Sequence, residues 1–250
     1  MNEVKPYRKH TNPIGSILFT SEIFLSMIIA SLVKLMSPGI SIELILAARY
    51  AFSLPILFIF GFYAYGKNIM KINNKKTLAV RTLAGFLGLL FWFLAVSRLD
   101  ISTATVLLQT MVIFTTVLAS LLLNEQTNAK KWFAIFIGFL GTLILLNPSR
   151  PGWDGIGLIY GLAAPLSAAF MFIYLRKLGQ TENTIAAALW YNLVCCIIMV
   201  AWYYFLIGGE SITTNQILIL ISVGILASFQ QAALALSHKF SEASRLTPLN

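Results

Sequence analysis

Long apolar runs alternate with short polar breaks along almost the whole chain. The runs are Ile14–Met36, Ile42–Tyr65, Leu78–Val96, Ile101–Leu123, Trp132–Leu146, Ile156–Leu175, Thr184–Ile207 and Ile217–Ser237. They approach or exceed the ~20 residues that a helix needs to cross a bilayer core. Hinges as short as Ser97–Asp100 and Asn124–Lys131 hold consecutive helices antiparallel and side by side. The pattern predicts an all-α polytopic membrane helix bundle with eight clear transmembrane helices and the start of a ninth. The first run is too long for a signal-peptide core, carries Glu22 and is followed by no small-residue cleavage site, so it reads as a retained helix.

Composition sharpens this picture. The chain is 58% hydrophobic and 11% charged, with a net charge of +9, and its mean hydropathy is +0.81. A water-soluble domain carries roughly 25% charged residues, so the bilayer must act as solvent here. The basic residues do not form a nucleic-acid patch; they fall in alternate loops. Lys5, Arg8 and Lys9, then Lys67, Lys71, Lys75 and Lys76, then Lys130 and Lys131, then Arg176 and Lys177, then Lys239 and Arg245 share one side, whereas the opposite loops hold only Arg98 and Arg150, with Lys34 at a helix end. Basic loops stay cytoplasmic, which places the N-terminus, as a cytoplasmic segment 1–13, inside the cell and the bundle in the inner (plasma) membrane. Cys195 and Cys196 are adjacent within an apolar run; they read as buried thiols, with neither disulfide nor metal spacing.

The chain also repeats. Sliding Phe91–Met111 onto Gln230–Asn250 aligns Ser102-Thr103-Ala104-Thr105 with Ser241-Glu242-Ala243-Ser244. Five spans precede the Pro/Gly-rich break Asn147–Asp154, so an odd number of helices gives each half the opposite orientation. The expected architecture is therefore two inverted five-helix repeats, 14–147 and an incomplete 155–250, which is the plan of many secondary transporters.

Ionisable groups at membrane depth are costly and so mark candidate sites. Glu22 lies early in the first helix with Ser26 one turn on; it either lines a pathway or solvates itself at the cytoplasmic interface. Arg49, deep in the second span, either meets an acid or an anionic substrate group, or anchors helix packing. In the fourth span Ser102, Thr105, Gln109, Thr116 and Ser120 fall within about 40° of one direction at 100° per residue. That stripe lines a cavity, with Thr105 and Gln109 foremost, or glues helices together. Gly85 and Gly88 share a face with Trp92 and suit close helix packing, while Trp92 offers a stacking surface. Pro165 interrupts the sixth helix beside Met171. Trp190 and Tyr191 suit a flat ring, Asn192 needs a partner in hydrocarbon, and Gln230 and Gln231 sit deeper than His238. The proposed substrate-binding set is Glu22, Arg49, Trp92, Thr105, Gln109, Trp190, Asn192 and Gln231.

Ser102-Thr103-Ala104-Thr105, Asn124-Glu125, Gly138-Phe139-Leu140-Gly141, Arg49 and Arg81 together resemble the EamA domain of the drug/metabolite transporter superfamily. The resemblance implies ten helices in two EamA-type repeats, both termini cytoplasmic, and movement of a small metabolite or drug-like compound without ATP. It includes uptake permeases for S-adenosylmethionine-like or vitamin-like metabolites. Against that pattern the chain ends roughly 36 residues early. The reading is therefore a secondary transporter working by alternating access, with a truncated, non-transporting remnant as the alternative. Its partners are a small-molecule substrate and the lipid bilayer, without nucleic acid; a homodimer is left open, and proton coupling through Glu22 is conceivable. No cofactor or metal is expected. No phosphate loop, HExxH, serine-nucleophile motif or paired carboxylates occur in the sequence, so the chain does not read as an enzyme.

Overall fold

The computed structural model describes residues 13–123, 129–146, 154–179 and 181–240. Nine α-helices run through them: α1 (Pro13–Met36), α2 (Ile42–Tyr65), α3 (Lys75–Arg98), α4 (Ile101–Gln109), α5 (Met111–Leu123), α6 (Ala129–Leu146), α7 (Gly155–Gly179), α8 (Thr184–Trp202) and α9 (Thr214–Phe240). Among the described residues, seven spans are long and apolar enough to cross a membrane; α4 and α5 together make one of them. The sequence-predicted span 132–146 falls in α6, an 18-residue helix outside those seven. The expected ninth helix, and the motif Ser241–Ser244, lie outside the described residues, as does most of the Asn147–Asp154 break.

The expected fourth span is broken. Thr110 turns out of the helix, its hydroxyl donating to the Leu107 carbonyl at 2.6 Å, and the chain restarts as α5 at Met111. The third span starts earlier than its hydropathy suggested. Asn74 caps α3 by accepting from the Thr77 N–H at 3.1 Å, which adds polar Lys75 and Lys76 as a first turn. Ser41 caps α2 and Asn183 caps α8 in the same way. Helix α8 ends in a π-helical turn, Tyr203–Ile207, stopped by Gly208 and Gly209 at φ 52° and 75°, a backbone region that costs glycine nothing.

Packing is dominated by three couples: α3 along α7, α1 along α9, and α2 between α8 and α9. Small residues set the closest approaches. A Cβ on Gly88 would lie 3.2 Å from the Ala168 backbone nitrogen on α7, and one on Gly224 would collide with Phe52 on α2. Between these couples runs one apolar core that includes Ile45, Leu46, Tyr50, Phe93, Val96 and Val223. The exterior is as apolar as the core: Phe24, Phe58, Phe62, Leu83, Phe133, Ile144, Ile159 and Phe205 are exposed. Bare apolar surface on this scale is stable against lipid, not water.

The loops tie the helix ends across the bundle. At the end away from the N-terminus, Lys34 Nζ donates to the Ser97 and Leu99 carbonyls at 3.2 and 2.8 Å. Arg98 pairs with Asp154 at 3.2 Å, and the Ser41 N–H reaches the Glu210 carboxylate at 3.2 Å. At the other end the Glu182 carboxylate accepts from the Asn73 and Asn74 N–H groups at 3.1 and 2.9 Å.

Candidate functional site

A cavity of about 160 Å³ lies inside the bundle, walled by α1, α2, α3, α4, α7, α8 and α9, with Met111 of α5 at its edge. One water needs about 10–15 Å³ on this measure, so the space suits a small organic molecule. Its apolar wall includes Ile23, Leu89, Leu108, Met171, Phe172 and Leu234; its polar groups include Glu22, Arg49, Arg81, Thr105, Gln109, Tyr191, Gln230 and Gln231.

Six of the eight sequence-predicted residues meet there: Glu22, Arg49, Trp92, Thr105, Gln109 and Gln231. Glu22 is tied to Arg49 through one side chain. Gln230 Nε2 donates to Glu22 Oε1 at 3.0 Å, and Arg49 Nη2 donates to Gln230 Oε1 at 3.1 Å. This bridge joins α1, α2 and α9. It settles Glu22 as a group facing the protein interior.

Two predicted residues are elsewhere. Trp190 Nε1 donates to the Met70 carbonyl at 2.9 Å, anchoring the loop before α3. Asn192 is wholly buried; its Oδ1 accepts from Ser53 Oγ at 2.9 Å and its Nδ2 donates to the Ala188 carbonyl at 2.8 Å. An amide with both ends satisfied fixes α2 against α8 and offers nothing to a ligand. The polar stripe of the fourth span likewise reaches the cavity only in part. Thr105 Oγ1 donates to the Ile101 carbonyl at 2.7 Å and Thr116 Oγ1 to Val112 at 2.8 Å, so both hydroxyls are spent on their own helices. Ser102 is exposed. The break at Thr110 ends the stripe's continuity, leaving Thr105 and Gln109 beside the cavity.

Arg81 and Tyr191 also line the cavity; the sequence singled out Tyr191 for a flat ring and Arg81 for the family resemblance, yet neither stood in the proposed substrate-binding set. The Arg81 guanidinium lies 4.2 Å from the centre of the Tyr191 ring. Tyr191 and Tyr50 meet hydroxyl to hydroxyl at 2.9 Å, and the Arg49 guanidinium lies 5.3 Å from the Tyr50 ring. Each arginine is thus held against an aromatic face on either side of one tyrosine pair. The signal for Arg81 was its spacing: Arg81, Gly85, Gly88 and Trp92 recur every three or four residues on one face of α3 and all line the cavity. Its place at the edge of an apolar run hid it.

The fold and this largely apolar cavity with its few polar groups define a multi-pass membrane protein with a small-molecule-sized chamber. Residues 13–147 match the EamA-like transporter family, and the chain belongs to that family. It is 31% identical over 149 residues to an S-adenosylmethionine uptake transporter of Rickettsia bellii, covering 60% of this chain and 50% of the relative. It is 26% identical over 202 residues to a riboflavin transporter of Rhizobium johnstonii, covering 80% of this chain and 64% of the relative. The match thus spans about half the length of the S-adenosylmethionine relatives. A solved crystal structure superposes with a TM-score of 0.69 over 96% of this chain and 84% of its own, at 16% identity; that likeness concerns the fold alone.

Proposed function

We propose that the chain is a secondary carrier that takes up a small metabolite across the plasma membrane by alternating access, with its N-terminus cytoplasmic. The observation that carries the reading is the cavity: a half-buried carboxylate, two buried guanidiniums and an indole converge on it from α1, α2 and α3, at a depth where the bilayer makes such charges costly.

Two inverted repeats, 14–147 and 155–250, underlie this reading. Offsetting the chain by 139 positions exchanges α1 with α7 and α3 with α9, and so exchanges the two main helix couples with each other. Ser53 and Asn192, hydrogen-bonded at 2.9 Å, are themselves 139 residues apart. Gly85 packs on Tyr191, and Gly224 packs on Phe52; the glycines and their aromatic partners are each displaced by the same offset. A carrier of this plan holds substrate between its halves and rocks them about that site. The ties Lys34–Leu99, Arg98–Asp154 and Ser41–Glu210 then form the closed outer side.

S-adenosylmethionine and riboflavin, named for the relatives, are the first substrates to try; both present flat ring systems that Trp92 and Tyr191 would stack on. The test is uptake of labelled S-adenosylmethionine and riboflavin into proteoliposomes containing the full chain. Saturable accumulation of either supports the reading. Counts equal to empty vesicles for both argue against it.

A further inference from the structure

Two positive charges face the cavity and one negative charge answers them. Arg49 and Arg81 are only 1% and 2% exposed, and a guanidinium stays protonated. Glu22 is the one carboxylate among the described residues that line the cavity, and Gln230 already engages it. Arg49 spends one nitrogen on Gln230, yet its Nε and Nη1 have no hydrogen-bond partner; neither do Nε and Nη1 of Arg81. Four charged donors, each closed off from water, thus lack a partner on two residues that line the chamber. Buried donors of this kind are otherwise nearly always satisfied, and an uncompensated buried charge is costlier still.

We propose that Arg49 and Arg81 form a subsite for the carboxylate group of the transported metabolite. This deepens the carrier reading and rests on it. One carboxylate brings a single negative charge, which balances the cavity. Its two oxygens, with about four lone-pair sites between them, can accept from a nitrogen of each arginine at once. A phosphate near neutral pH carries closer to two charges and would overshoot the balance. Guanidinium groups suit planar carboxylates, and the Tyr50–Tyr191 pair holds both in place before any ligand arrives, which reduces the ordering that binding requires. The substrate class is therefore a carboxylate-bearing metabolite, with its carboxylate toward α2 and α3 and its remainder toward Trp92 and Gln109.

The test measures the melting temperature of the full chain in lipid nanodiscs with matched pairs of probes. These are acetate and acetamide, L-methionine and L-methioninamide, and S-adenosylmethionine and its decarboxylated form, with inorganic phosphate alongside. The expected result is that carboxylate members stabilise the protein at concentrations at least ten-fold below their partners. Arg49→Gln and Arg81→Gln each abolish that preference. Because either variant could fail to fold, Glu22→Gln provides the opposite sign: removing the competing carboxylate tightens carboxylate binding several-fold, which simple damage would not do. Equal response to both members of every pair, no response to any probe, a preference that survives both arginine substitutions, or stabilisation by phosphate in place of carboxylates overturns the subsite. Uptake separates the two readings. Arginine-independent transport of a compound without a carboxylate keeps the carrier and removes the subsite; arginine-dependent carboxylate binding with no transport does the reverse.

Discussion

Tyr50 and Tyr191 touch hydroxyl to hydroxyl at 2.9 Å, edge to face with ring centres 5.6 Å apart, and each backs one of the two buried arginines. Tyr191 also donates to the Gly85 carbonyl at 3.3 Å, so the pair ties α2, α8 and α3 together. Tyr191→Phe keeps the ring under Arg81 and loses both hydroxyl bonds; we expect a stability loss of about 1–2 kcal/mol. Tyr191→Leu also removes the ring and should cost more. Thermal unfolding of both variants in detergent checks the order; equal losses would mean that the ring contributes nothing to Arg81.

Asn192 and Trp190 are structural. Asn192→Ala leaves Ser53 Oγ without its amide acceptor and should cost about 1–3 kcal/mol. Trp190→Phe frees the Met70 carbonyl and loosens the loop before α3. Neither side chain faces the cavity, so KM for transport should stay within about two-fold of wild type once folded protein is matched. A selective rise in KM for either variant would return that residue to the site.

Helix spacing depends on two glycines. Gly88→Ala puts a methyl 3.2 Å from the Ala168 backbone nitrogen, where no side-chain rotation relieves it, so α3 and α7 must separate by a few tenths of an ångström. Gly224→Val is more severe, because Phe52 and the Ala48 carbonyl both occupy that space. Overpacking typically costs about 1–3 kcal/mol. Melting temperatures measure it, and the Gly224 variant should be the weaker of the two.

The Arg98–Asp154 tie has a defined pH response. Asp154 accepts from the Gly157 and Ile156 N–H groups at 3.2 and 3.0 Å. The Gly157 hydrogen bond foremost, then Arg98, hold its carboxyl below the ordinary value of 3.8. A lowered native value means that the carboxylate's contribution is complete above 3.8 and fades as pH falls through the lowered value. Asp154 is solvent-exposed, so that contribution to overall stability is small. The readout is local: Asp154→Asn should raise the amide exchange of Ile156 and Gly157, corrected for the intrinsic rate, whereas acidification from pH 7 to pH 5 should leave the corrected wild-type exchange unchanged. A clear rise by pH 5 would show that Asp154 is not held as the geometry requires.

Much of the fold was legible because a bilayer accepts little but apolar helices; each of the eight expected runs overlaps helical structure. What hydropathy missed was polar chemistry acting locally. The Asn74 cap recruits Lys75 and Lys76 into α3, and the Thr110 hydroxyl closes a turn inside a run of apolar residues. The lining of the cavity was legible where a charge stood deep in an apolar run, as for Glu22 and Arg49. It was obscured where a polar group could be satisfied by its own surroundings: Asn192, Trp190 and Thr105 carry the same residue types as ligand-binding groups, and only their partners distinguish them.

Alternating access, as proposed, requires this cavity to open to the two sides of the membrane in turn. The most direct measurement labels single cysteines at Gln109 and Gln231, in a chain with Cys195 and Cys196 replaced by alanine, using a membrane-impermeant thiol reagent on one side at a time. The expected result is labelling from each side, with added substrate changing the ratio of the two rates. Labelling from one side only, at a ratio that no substrate alters, would contradict it.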